Sequence, residues 1–122
     1  MKRRNIYKAV LVFIFFIITA YAGLWIWFKS DIDRICQNAM KQYEGDKIEA
    51  LLSVLNSEHQ TFDIKNEAIW ALGKLRDKRS LSVLKRLRTG TACDHHRFVC
   101  QRGVERSIAV LEGRKLDILT FK

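Results

Sequence analysis

The residues best suited to chemistry in this 122-residue chain crowd into eight positions, CDHHRFVC, residues 93–100. Two thiols, Cys93 and Cys100, flank two imidazoles, His95 and His96. A bridge between Cys93 and Cys100 would close an eight-residue loop and stabilise a small domain by about 2 to 3 kcal/mol, by restricting the unfolded chain. A metal centre would draw on Cys93, His95 or His96, and Cys100, but it lacks paired CxxC spacing and an evident fourth ligand. Cys93 beside His95 supplies a thiol and a base. Nucleophilic Cys–His pairs, however, bring their members from distant parts of a chain, so adjacency is weak support. The sequence has no serine-centred elbow and no phosphate-cradling glycine loop. It therefore predicts a non-enzyme with no cofactor, no resident metal and no small-molecule substrate. The disulfide is the first assignment, and an exported redox or metal-binding protein is the alternative.

The choice among these chemistries depends on compartment, because thiols stay reduced in cytosol and pair outside it. Residues 9–28 form an uncharged apolar run, preceded by Lys2, Arg3, Arg4 and Lys8 and followed at once only by Lys29. At 1.5 Å per residue a helix over this run reaches about 30 Å, the thickness of a bilayer's hydrocarbon. The basic prefix holds the N-terminus in the cytoplasm and sends the remainder to the periplasmic side of a bacterial inner membrane. Tyr7 at one end, and Tyr21, Trp25 and Trp27 at the other, suit the two interfacial belts. The stretch AYAG, residues 20–23, also has the form of a signal-peptidase site with cleavage after Ala22. Against cleavage, the apolar character continues through LWIWF, so a retained anchor over residues 1–29 is expected. Either reading exports the rest of the chain and favours pairing of Cys93 with Cys100. Three cysteines allow one internal bridge, and Cys36, on an apolar stripe, reads as a small buried hydrophobe.

Beyond Ser30 the apolar residues recur at helical spacing. Ile32, Ile35, Cys36, Ala39, Met40 and Tyr43 form one stripe, and Ile48, Leu51, Leu52 and Leu55 a second. Ile64, Ala68, Ala71, Leu72 and Leu75 form a third, and Leu81, Leu84 and Leu87 a fourth. Ser30 or Asp31, Asp46, Thr61 or Asp63, and Asp77 are placed to cap helix starts, and Gly45 and Gly90 to mark helix ends. A fifth helix is expected over residues 97–111, with Val104, Ile108 and Leu111 inward and Gly113 as its stop. The predicted class is all-α: a transmembrane helix, a helical domain over residues 30–113, and a tail over residues 114–122. In that tail Leu116, Ile118, Leu119 and Phe121 are expected to fold over the last helix.

The second and fourth stripes overlay at a shift of 33 residues, which pairs Ile48 with Leu81, Leu51 with Leu84 and Val54 with Leu87. Such a period marks stacked helix pairs. The stretch NEAIWALGKLRDKRSLSVLKRL, residues 66–87, resembles the HEAT-like repeat of bacterial proteins, including the phycobilisome-lyase type. Ala68, Trp70, Ala71, Leu72, Gly73, Asp77 and Arg79 stand at characteristic positions. Arg76 stands where the family usually has glycine, and Lys78 where it usually has proline. CDHHRFVCQ is similar to an ending of some short bacterial HEAT-repeat proteins, where it opens the closing helix. The resemblance implies a short solenoid of about two and a half helix pairs that offers a protein-binding surface.

Seven cations, Lys74, Arg76, Lys78, Arg79, Lys85, Arg86 and Arg88, face the single local acid Asp77 in a chain of net charge +9. Such runs are commonly solvated helix faces. As a contact, the run suits an acidic protein surface, with anionic lipid as the alternative. It has none of the interleaved aromatics of a nucleic-acid groove. The expectation is a scaffold or accessory subunit of a cell-envelope complex, meeting a partner protein through Lys78, Arg79, Lys85 and Arg86 and meeting lipid through residues 9–28.

Overall fold

The computed structural model describes residues 2–114, and every regular element among them is helical. These are α1 (Lys2–Gln42), α2 (Lys47–Asn56), α3 (Phe62–Leu75), a 3-10 turn (Lys78–Ser80), α4 (Leu81–Leu87) and α5 (Gln101–Leu111). The reading of Leu116, Ile118, Leu119 and Phe121 falls outside the described residues. The chain divides into two units, Met1–Asp33 and Arg34–Lys122.

Within the first unit α1 is long and apolar enough to cross a membrane, with a mean hydropathy of 2.5 over its most apolar stretch and none of that stretch buried. Phe13, Phe16, Ile17, Trp25 and Trp27 are all more than half exposed. The Thr19 hydroxyl donates to the carbonyls of Phe15 and Phe16, 3.0 Å from each, so its polar group is satisfied inside the helix. A helix in hydrocarbon would need that economy, because lipid tails offer no other partner. Lys29 Nζ sits 6.0 Å from the centre of the Trp25 ring, joining a cation to an aromatic at the end of the apolar run.

A separate helix beginning at Ser30 or Asp31 does not form, since α1 runs unbroken to Gln42. Between residues 24 and 43 there is neither glycine nor proline to interrupt the backbone ladder. The other caps follow local chemistry. Asp46 accepts from the N–H groups of Ile48 and Glu49, while Glu49 reaches back to the Asp46 N–H, a reciprocal pair that opens α2. Of the two candidates for α3, Thr61 is the cap and Asp63 lies inside the first turn.

The second unit is organised about α3, which packs against α2 on one side and α5 on the other, with α4 also against α5. Its core holds Leu51, Ile69, Leu72, Leu84, Val104 and Ile108, all below 2 % exposed, with Cys36 beside them at 1 %. Ile69 falls outside the expected third stripe, whereas Ile64 and Met40 are exposed at 42 % and 44 %. The apolar face of α3 is set by two neighbours rather than one, and this turns it toward Ile69. Gly73 allows the closest approach: a Cβ there would meet the Cβ and Cα of Ser107 at 3.0 and 3.2 Å.

Arg76, at the end of α3, adopts φ +54 and ψ 30, the left-handed conformation that glycine occupies without strain. Asp77 then caps the 3-10 turn by accepting from the Arg79 N–H at 2.9 Å, and α4 follows directly. The fifth helix starts at Gln101 rather than at residue 97. The Asp94 carbonyl accepts from the N–H groups of Arg97 and Phe98, which makes a single turn, and the chain then extends through Val99 and Cys100. Val99 is buried in this extended stretch.

Candidate functional site

Residues 93–100 form the loop that leads into α5, and three anchors fix its shape. The Cys100 N–H donates to Asn66 Oδ1 on α3 at 2.7 Å. Gln101, only 4 % exposed, accepts from the Thr89 N–H at 2.8 Å and donates to the carbonyls of Leu87 and Val99 at 3.1 and 3.3 Å. Asp94 Oδ1 accepts from the His96 N–H at 3.0 Å, a side-chain turn that sets the two histidines apart. The loop is therefore tied both to α3, at Asn66, and to the end of α4, at Leu87.

These anchors bring Cys93 Sγ and Cys100 Sγ to 3.4 Å. Cys93 is exposed and Cys100 half-buried. One ring nitrogen of His95 and the two sulfurs all lie within 4.8 Å of one another, and His96 is outside this group. Of the four residues weighed for metal ligation, three thus converge.

The electrostatics distinguish the two thiols. Cys100 occupies the position that caps α5 but makes no side-chain capping bond. Cys93 Sγ takes that role, accepting from the Arg102 N–H in the first turn of α5 at 3.2 Å. This bond, followed by the contact with Cys100, holds the Cys93 thiol below its ordinary range. The open N–H groups of a helix start carry partial positive charge, so they favour the thiolate. A cavity of about 360 Å³ opens beside Cys93, bounded by Gly90, Thr91, Ala92, Arg102 and Glu105.

The basic residues are only partly available. Arg79 bridges two capping carboxylates, reaching Asp77 at 2.9 Å and Asp46 at 2.8 Å. Its guanidinium is held above its ordinary range, by Asp77 first and Asp46 second. Lys85 pairs with Glu112 at 2.7 Å and Arg88 with Glu105 at 3.0 Å. Lys78 and Arg86 are exposed and have no acidic partner among the described residues. The local sequence shows one acid for seven cations, but folding supplies Asp46, Glu105 and Glu112 from elsewhere.

Three contributors to this loop's geometry have no signature in the residue pattern: Asn66, Gln101 and the Arg102 N–H. Gln101 directly follows CDHHRFVC, but nothing in the sequence marks its side chain as an anchor. Searches of the chain against protein-family models, curated proteins and solved structures find no match.

Proposed function

We propose that this protein is a single-pass membrane anchor carrying a small HEAT-like helical scaffold, exported to the periplasmic side, that binds another protein as an accessory subunit of an envelope complex. The observation that carries the reading is the 33-residue spacing between Asp46 and Arg79, which pair at 2.8 Å. That spacing equals the shift at which the sequences of α2 and α4 overlay. It sets the start of α2 beside the 3-10 turn that leads into α4, so the contact between the two overlaid segments is made at their N-terminal ends. The packing of α3 on α5 supports the reading of these two as neighbouring first helices. The left-handed backbone at Arg76 supports the family resemblance, since it is the glycine-requiring turn of that pattern in an arginine-bearing form.

The exposed apolar face of α1 favours lipid as its surroundings, and the basic prefix before the span favours an outward C-terminal unit. The proposed contact is the basic face of Lys78, Arg79, Lys85 and Arg86. Within it Lys78 and Arg86 are the free charges, and Arg79 and Lys85 hold the face in shape through their own ion pairs. The test is recovery of partners from native membranes with Lys78→Glu and Arg86→Glu introduced together, leaving the internal ion pairs intact. Loss of co-purifying protein is expected, and unchanged recovery would remove this face. A reporter fused to the C-terminus should be active only on the exported side.

A further inference from the structure

Beyond scaffolding, we propose that Cys93 and Cys100 form an exchange-active thiol–disulfide couple, with Cys93 as the sulfur that meets a thiol-bearing exported peptide and Cys100 as the internal partner. The pair is divided as such couples are. Cys93 is exposed and borders the 360 Å³ cavity, while Cys100 is half-buried and pinned by Asn66 at 2.7 Å. At 3.4 Å a small rotation joins the sulfurs. The Arg102 N–H donates to Cys93 Sγ, and a helix-start N–H stabilises a thiolate far more than it stabilises the weakly accepting sulfur of a bridge. The helix thus favours the reduced chain, which makes the bridge labile rather than a permanent staple.

The exchange is a single two-electron transfer from the partner to the bridged chain. A partner thiolate attacks Cys93 Sγ of the bridged chain, a bond forms between those two sulfurs, the Cys93–Cys100 bond breaks, and the electron pair leaves on Cys100. A second partner thiolate then attacks the first partner sulfur and expels Cys93 as a thiolate onto the Arg102 N–H. The partner dithiol is oxidised by two electrons to a disulfide and the chain is reduced by two. Of the two protons released by the partner thiols, one ends on Cys100 and the other in solvent. A ring nitrogen of His95 lies within 4.8 Å of both sulfurs.

Metal binding by Cys93, His95 and Cys100 is the rival use of the same atoms. The sulfurs stand closer than the separation of about 3.8 Å that two thiolates take on tetrahedral zinc with bonds of about 2.3 Å, and only three donors converge among the described residues. Exchange is the better fit.

The test uses the full chain in detergent with glutathione as the probe. Reduced Cys100→Ser, which keeps Cys93, should form a mixed disulfide with oxidised glutathione about tenfold faster than Cys93→Ser, in line with the thiolate preference of a helix start. Excess reduced glutathione should open the bridged wild type, with the first adduct on Cys93 by peptide mass spectrometry. Equal rates, a first adduct on Cys100, or a bridge that resists excess reduced glutathione would each overturn the proposal. So would thiols that react only after a chelator is added, which would mark a bound metal. If either serine variant loses its far-ultraviolet helix signal, the adduct map of the wild type decides alone. Loss of partner recovery in the Lys78 and Arg86 test bears on the scaffold reading and leaves this one untouched.

Discussion

Gly73→Ala is expected to destabilise the second unit, although alanine is the better helix former. In an open helix the change would gain about 1 kcal/mol. Here the added methyl meets Ser107 Oγ at 2.5 Å, Ser107 Cβ at 3.0 Å and Ser107 Cα at 3.2 Å. Rotating the hydroxyl away gives up its 3.0 Å bond to the Ile69 carbonyl, a loss of about 1 kcal/mol. The Cβ and Cα of Ser107 cannot rotate away, so α3 and α5 must separate by a few tenths of an ångström, and overpacking of that kind costs about 1 to 3 kcal/mol. The propensity gain offsets only part of this, leaving a net loss of about 1 to 3 kcal/mol. Urea unfolding of the full chain in detergent, followed by far-ultraviolet circular dichroism, reads the loss as a lower midpoint at unchanged slope. Adding Ser107→Ala removes the 2.5 Å contact, together with the hydrogen bond to Ile69 that the methyl already displaces, and should restore part of the stability. A midpoint at or above that of the parent for Gly73→Ala would refute the close approach, and full rescue by Ser107→Ala would show that the α5 backbone is no constraint.

Other perturbations test the remaining links. Arg76→Gly should raise the urea midpoint by an amount equivalent to about 1 kcal/mol, because it relieves a left-handed backbone at φ +54. Gln101→Ala strands the Thr89 N–H and the Leu87 carbonyl and should cost about 2 kcal/mol, with faster hydrogen exchange at Thr89 as the local readout. Ile17→Arg places a charge near the centre of the apolar run at a cost of about 3 kcal/mol and should release the chain from carbonate-washed membranes. The carboxyls of Asp46 and Asp77 are held below the ordinary carboxylate range, Asp46 chiefly by the Glu49 N–H and then Arg79, Asp77 chiefly by Arg79. Their contribution is therefore complete above about pH 4, the unfolded value, and lost as pH falls through the lower folded values. Arg79→Met should flatten that acid limb, by an amount that shrinks in high salt because the pairs are half exposed.

The local devices were legible in the sequence because each is written in a few neighbouring residues. The Asp46 cap, the helical stripe of Leu51 and Leu55, and the stops near Gly45 and Gly90 need no tertiary information. Boundaries failed where a local signal competed with a longer one. Ser30 and Asp31 are good cap residues, but an unbroken run of helix-compatible residues on both sides carried α1 through them. The start of α5 failed for a different reason, since residues 97–100 take an Asp94-centred turn and then an extended stretch whose Cys100 N–H bonds to Asn66 on α3 rather than within a helix. The candidate site was half readable. Its thiols and imidazoles stand together in the sequence, yet which histidine turns toward the sulfurs depends on the Asp94 turn.

By itself, the sequence determined that the described chain is helical, that its N-terminal helix is long and apolar enough for a bilayer, and that its thiol chemistry is concentrated in residues 93–100. Periodicity, length and composition are properties of neighbouring residues, and they act before the chain folds. The tertiary structure decided which charges are free, which thiol caps α5, and how near α3 approaches α5 at Gly73. Each of these depends on groups far apart in sequence, such as Arg79 with Asp46, Cys100 with Asn66 and Ser107 with Ile69. Packing alone brings such groups within bonding distance, because hydrogen bonds and ion pairs act over a few ångströms and carry no trace along the chain.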